Sequence, residues 1–162
     1  MRKKVLYLHG LESSNVCSKV DFLKEVSDCY APAMNYADPY VEDLLLKMVR
    51  AFKPDVIIGS SMGGHAALLL GNYFGISTIA FNPAIHSRSF DPEFNKLSNA
   101  DPDIYLTPVV VLGMEDDVVN PLITKEILDD AFIDCNIEEI EGMGHRVDPV
   151  IFIDIYNKYE NG

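Results

Sequence analysis

Six short apolar runs recur along this chain, at Val5 to Leu8, Tyr30 to Met34, Val56 to Ile58, Ile76 to Phe81, Val109 to Leu112 and Ile137 to Ile140. Each is mostly uncharged and bounded by turn residues, the pattern of a strand buried on both faces. Between them the apolar spacing turns helical, most clearly at Val41, Leu44, Leu45, Met48 and Phe52, which would share one helix face. Asp38-Pro39, Asn120-Pro121 and Asp148-Pro149 each set an N-cap acceptor before a proline whose missing N–H costs nothing at the first helical position, and so predict three helix starts. Gly75 and Lys53-Pro54 predict two helix stops. The expected order is β-α-β-α-β-α-β-loop-β-α-β-α. Strands joined through helices need crossover connections, which makes the sheet mostly parallel and covers it on both faces, a three-layer α/β fold. Only residues 82–107 break the rhythm. Rich in Asn, Asp, Ser and Pro, and carrying Phe90, Phe94, Leu97 and Tyr105, they are expected to form a lid-like segment with a short helix.

A chain of 162 residues suits one domain, 1–162, able to bury roughly 70% of the surface its unfolded form exposes. The net charge of −12 is lopsided: residues 1–81 hold eight acids and eight bases, residues 82–162 seventeen acids and five bases. Such a surface repels phosphate backbones and anionic lipid, so neither nucleic acid nor a membrane is an expected partner. The opening MRKKVLYLHG has three cations but only four apolar residues in a row, too few for a signal-peptide core or a membrane span. Cys17, Cys29 and Cys135 show neither CxxC nor Cys/His spacing, which argues against disulfides and structural zinc. A reduced, cytoplasmic location is expected.

The stretch Val56-Ile57-Ile58-Gly59-Ser60-Ser61-Met62-Gly63-Gly64 places a GxSxG pattern between an expected strand and an expected helix, Met62 to Phe74. Reversing from strand to helix within about one residue forces that residue into a strained backbone and crowds its neighbours, which Gly59 and Gly63 relieve by lacking a Cβ. Gly64 would let the helix pack closely on the sheet. Ser61, with glycines two places to either side, is the apex. Its Oγ would project from the sheet edge, and the N–H of Met62 would point where an oxyanion forms, at the positive end of a helix. A phosphate-binding turn is the other use of such glycines, but neither a following lysine nor GxGxxG is present.

A serine nucleophile needs a base and a carboxylate to orient it. Of the four histidines, His9 ends the first run, His65 lies in the elbow helix and His86 in the lid-like segment; His145, in EGMGHRVDP after the last strand, is the expected base, with His86 as competitor. Glycines 142 and 144 are expected to permit its close approach. For the acid, Gly113-Met114-Glu115-Asp116-Asp117-Val118-Val119 offers three carboxylates, of which Asp116 is preferred over Asp117 because the valines then re-enter apolar surroundings. The order serine, acid, histidine is that of α/β-hydrolases. The second oxyanion donor is expected after the first strand, at the backbone N–H of Leu11, with His9 shaping that loop.

Together these residues resemble the α/β-hydrolase superfamily and, more narrowly, the small bacterial YqiA-like serine esterases. YLHGLESS (Tyr7 to Ser14), IIGSSMGG (Ile57 to Gly64) and NPA (Asn82 to Ala84) are similar to that group's YLHG-x-x-SS, GSSxGG and NPA elements in order and spacing. The acid and histidine loops match only the wider superfamily, as G-x-x-D-x-V-V and G-H. The resemblance implies a minimal six-stranded sheet, ordered 4-3-5-6-7-8 in superfamily strand labels and lacking the usual first hairpin. It also implies no metal, no cofactor, and hydrolysis of short acyl esters or thioesters; no insertion in the sequence is large enough for a separate cap domain. The expected reaction runs through Ser61, His145 and Asp116 and an acyl-enzyme. A shallow pocket of Leu11, Met62 and Phe90 or Phe94 would hold the small-molecule acyl substrate. Strongly anionic substrates are expected to bind weakly beside the acidic second half unless Arg146 offsets the repulsion. A catalytically silent binding protein of the same fold, and a peptidase or C–C hydrolase using the same triad, are the alternatives.

Overall fold

The computed structural model describes residues 1–11, 13–100, 106–131 and 133–161. Its strands are β1 (Lys4–Leu8), β2 (Asp28–Tyr30), β3 (Val56–Ser60), β4 (Ser77–Phe81), β5 (Val109–Gly113) and β6 (Asn136–Ile140). The helices are α1 (Ser18–Val26), α2 (Val41–Phe52), α3 (Met62–Phe74), α4 (Asn95–Ser98), α5 (Pro121–Asp130) and α6 (Pro149–Glu160). The strands form one sheet in the order β2-β1-β3-β4-β5-β6, every neighbouring pair parallel. Counting β1 as superfamily strand 3, this is the 4-3-5-6-7-8 order implied by the resemblance.

Alternation along each strand supplies two cores. Val5, Tyr7, Ile58, Phe81 and Val111 face α1 and α6, meeting Leu23, Phe152 and Tyr156, while Leu6, Leu8 and Ile57 face α2 and α3, meeting Leu45, Val49, Ala67 and Leu70. Because both faces are covered, the central strands read as apolar runs without a polar side. The caps on two of the proline-marked helices form as expected: Asn120 Oδ1 accepts from the N–H of Leu122 and Ile123, and Asp148 Oδ1 from that of Val150. Gly75 and Lys53 end their helices in the left-handed conformation, at φ 66° and 54°.

Three expectations need correction. Strand β2 is Asp28–Tyr30, not Tyr30 to Met34, because the Met34 N–H is taken by His9 Nε2 (2.9 Å), which draws the chain off the sheet. Helix α2 begins at Val41, after a turn in which Asp38 Oδ1 accepts from the Tyr40 N–H. Its buried face is Val41, Leu45, Leu46 and Val49, rotated so that Leu44 is 42% exposed and Met48 and Phe52 sit at the margin. The rotation also buries Glu42, whose carboxylate accepts the N–H groups of Lys96 and Leu97 at 3.1 and 3.0 Å. Glu42 thereby anchors α4 and with it the described part of segment 82–107; residues 101–105, Tyr105 among them, lie outside the described residues.

The carboxyl ends of β1, β3, β4 and β5 all rise to one rim, where Leu8 pairs with Gly59, Ser60 with Phe81, and Phe81 with Val111. Reactive groups of open parallel sheets gather at such a rim. Among the described residues no helix is long and apolar enough to cross a membrane.

Candidate active site

Ser61 stands between β3 and α3 with φ 57° and ψ −117°, a conformation that costs a non-glycine residue about 1–3 kcal/mol. Three backbone hydrogen bonds hold it there. The Ser61 N–H donates to Phe81 O at 2.9 Å, and the Ser61 carbonyl accepts from Ala84 at 2.9 Å and His65 at 3.0 Å. The crowding is severe: a Cβ on Gly59 would lie 2.1 Å from Gly63 O, and one on Gly63 2.0 Å from Leu8 O. Helix α3 thus presses against both β3 and β1, and Ser61 is lifted to the rim.

His145 and Asp116 meet Ser61 there. His145 Nε2 lies 3.0 Å from Ser61 Oγ, and its Nδ1 lies 2.8 Å from Asp116 Oδ2. A carboxylate only accepts, so Nδ1 carries the proton and Nε2 is left to accept the Ser61 hydroxyl. The Asp116 side chain is fully buried, and its Oδ1 accepts from the N–H groups of Val118 and Val119, both at 2.9 Å. Every oxygen of this carboxylate is engaged, which fixes its orientation; Asp117 is exposed.

Asn82, the first residue of the NPA element, has a role that its motif does not disclose. Buried to 1% exposure with φ 43°, it accepts the Gly113 N–H on Oδ1 (2.8 Å) and donates from Nδ2 to Gly144 O (3.1 Å) and His145 O (2.9 Å). One amide therefore ties the ends of β4 and β5 to the histidine loop. An asparagine immediately after an apolar strand, a residue type that tolerates the left-handed conformation, is the sequence signal that could have found it. The close approach expected at glycines 142 and 144 falls instead on Gly113, where a Cβ would lie 2.5 Å from the carbonyl oxygens of Met143 and Gly144. Gly142 serves its backbone, at φ 80°, and a Cβ on Gly144 would find nothing nearer than 3.8 Å.

The other histidines are occupied elsewhere. The Met34 N–H donates to His9 Nε2, so Nδ1 carries the proton and donates to Gly10 O at 2.6 Å; the Tyr36 hydroxyl donates to His9 O, also at 2.6 Å. His9 thus shapes the loop that brings Gly10 against Ser61, where a Gly10 Cβ would lie 3.3 Å from the Ser61 Cβ. His86 Nε2 faces Asn120 O (3.2 Å) and Thr124 Oγ1 (3.1 Å), away from Ser61. His65 packs beside Phe94 and accepts from Arg88 Nη1 at 3.2 Å.

Burial, and then the Arg88 guanidinium, hold the His65 pKa down at about 4, from an ordinary 6.5. Since the unfolded chain takes up this proton first, the neutral ring's contribution is complete above about pH 6.5 and is lost as pH falls toward about 4. Urea unfolding at about pH 7 and pH 5 is therefore expected to show a loss of stability that shrinks by up to about 2 kcal/mol in His65→Leu. An unchanged pH dependence in that variant would contradict the assignment.

The rim encloses a cleft of about 700 Å³ containing Ser61 and His145. Its apolar lining is Leu11, Met62, Ala84, Val118, Val119 and Val147. Phe90 and Phe94, expected to line it, do not: Phe94 is 3% exposed in the core against α2 and α3, and Phe90 packs on the same cluster. Glu42 holds α4 against α2 through the N–H groups of Lys96 and Leu97, and Val118 and Val119 are among the apolar residues that line the cleft. Leu11 and Met62 both line the cleft as expected. The Met62 N–H belongs to the first turn of α3, which leaves it without an intrahelical acceptor.

The model of the uncharacterised protein family UPF0227 matches residues 4–101, which carry the His9-Gly10 loop, the elbow and the NPA element. No curated protein matches the chain in sequence. Among solved structures the chain is similar to esterase PE8 (18% identity, TM-score 0.70, covering 99% of this chain and 92% of that one). It is similar also to MGS-MChE2, an alpha/beta hydrolase enzyme from the metagenome of lagoon sediments of Mar Chica, Morocco (16%, TM-score 0.70, 99% and 91%). A third is an S-formylglutathione hydrolase from Agrobacterium tumefaciens (18%, TM-score 0.67, 99% and 82%). The chain belongs to the uncharacterised protein family UPF0227, a YqiA-like group with the fold of the α/β-hydrolase superfamily.

Proposed function

We propose that this hydrolase-fold protein is a serine esterase that cleaves small acyl esters, and by the same chemistry small thioesters, through an acyl-enzyme. The observation that carries the proposal is the continuous chain from Ser61 Oγ through His145 to Asp116, with contacts of 3.0 and 2.8 Å. In this reading Ser61 Oγ bonds to the acyl carbon while its proton passes to His145 Nε2. The imidazolium is stabilised by Asp116, and the oxyanion is held by the N–H groups of Leu11 and Met62. Collapse of the tetrahedral adduct breaks the bond to the leaving oxygen, which takes the proton from Nε2. Water then repeats the sequence on the acyl-enzyme and releases the acid. No atom beyond substrate and water is required. The three free cysteines suit a reducing compartment, and we assign the reaction to the cytoplasm.

We read the pocket as short: its apolar lining is limited to Leu11, Met62, Ala84, Val118, Val119 and Val147, and each methylene left outside that lining contributes no burial. In a chain-length series of p-nitrophenyl esters, kcat/KM is expected to peak at about two to four acyl carbons. A maximum at long chains would contradict the short pocket, and no turnover of any member would contradict the esterase itself.

A further inference from the structure

The polar lining of the same cleft has a sign. The chain as a whole carries 25 acids against 13 lysines and arginines. Yet the charged side chains that line the cleft around Ser61 are Lys19, Arg88 and Arg146, with no acid among the described lining residues. Part of the acidic excess of the second half lies on other surfaces: Glu126, Asp129, Asp130, Glu139 and Asp154 are exposed on α5, β6 and α6 and do not line the cleft. Arg146, the residue expected to offset the repulsion of anions at the histidine side, is among the residues that line the cleft.

The three cations are not equivalent. Arg88 is committed: its Nε and Nη2 donate to Asp91 at 3.0 and 2.7 Å, and its Nη1 donates to the carbonyls of Ala84 and Ile85 and to His65. Asp91 neutralises it, and its donors are used to hold the loop after the NPA element. Lys19 and Arg146 have no carboxylate at ion-pair distance among the described residues. Lys19 is half-buried near the start of α1, and Arg146 is exposed next to His145, so both face the space that an ester held at Ser61 would enter. Among the described residues no carboxylate pairs with either cation, so together they give the cleft a local positive field that favours an anion held near Ser61.

We infer that the substrate supplies that anion: the ester taken by this site carries a carboxylate or comparable anionic group away from the scissile bond, recognised by Lys19 and Arg146. This rests on the esterase reading and narrows its substrate class. A charge-assisted contact at a solvent-open site is worth a few-fold, and two together about tenfold.

The experiment compares kcat/KM within two matched pairs of esters. In one, para-carboxyphenyl acetate against para-carbamoylphenyl acetate, the charge is on the leaving group; in the other, monophenyl adipate against phenyl hexanoate, it is on the acyl group. At low salt the anionic member of at least one pair is expected to be about tenfold better. That ratio is expected to fall toward one in Lys19→Met with Arg146→Met, and to survive in Arg146→Lys, which keeps the charge beside His145. Turnover of the neutral esters with no anionic advantage in either pair would overturn the inference and leave the esterase standing, as would an advantage that persists after both charges are removed. Absence of all turnover together with absence of fluorophosphonate labelling at Ser61 would overturn both.

Discussion

Asp116→Asn is expected to lower kcat for a short-chain ester by about 10⁴-fold while leaving the fold intact. The reason lies in how the carboxylate is held. Its Oδ1 accepts from the N–H groups of Val118 and Val119, so an asparagine must place its carbonyl oxygen there and turn its NH₂ toward His145 Nδ1. Nδ1 then has to accept rather than donate. The imidazole proton moves to Nε2, which faces Ser61 Oγ at 3.0 Å and can no longer take the hydroxyl proton. Because the backbone bonds to Val118 and Val119 survive, the unfolding midpoint should hardly move. A loss of only a few-fold at unchanged stability would show that Asp116 does not orient the base. Paired single and double variants of Ser61 and His145 offer an internal check, since groups that act as one unit lose about as much singly as together.

Gly63→Ala is expected to destabilise the protein by more than about 4 kcal/mol, enough to leave little folded chain. Intrinsic propensity argues the opposite, because alanine in place of glycine inside a helix ordinarily gains up to about 1 kcal/mol. Here the added carbon would lie 2.0 Å from Leu8 O and 2.6 Å from His9 O, atoms of a central strand and of the loop that leads to Leu11. Neither can retreat without separating α3 from the sheet or shifting Gly10 away from Ser61. Gly144→Ala is the control: its nearest contact would be 3.8 Å, and it should change stability by less than about 1 kcal/mol. Urea unfolding of the two variants side by side measures the difference, and a stable, folded Gly63→Ala protein would contradict the packing described.

The contrast between these glycines shows which parts of the chain were readable in advance. Gly59 and Gly63 flank a serine in a pattern whose steric meaning is local, a bend completed within five residues, and the elbow was legible for that reason. The parallel sheet was legible because its central strands are apolar on both faces. Strand β2, only Asp28–Tyr30, escaped because a hydrogen bond from the Met34 N–H to His9, 25 residues away, decides where it ends. The burial of Phe90 and Phe94 escaped for a similar reason, since Glu42 on α2 reaches across 54 residues to hold Lys96. A charged residue at a helix start reads as surface until its partners are seen. Asn82 stands in a legible motif, but its three hydrogen bonds join segments that are distant in the chain and only packing brings together.

Reaction with a fluorophosphonate, followed by intact-mass and peptide analysis, tests most directly whether the lifted hydroxyl is a nucleophile. One adduct per chain, on Ser61 and missing from Ser61→Ala, is the expected result, with a labelling rate that drops in Asp116→Asn. Unmodified protein under conditions that label a known serine esterase, or an adduct on another residue that persists in Ser61→Ala, would contradict the assignment of Ser61 as the attacking group.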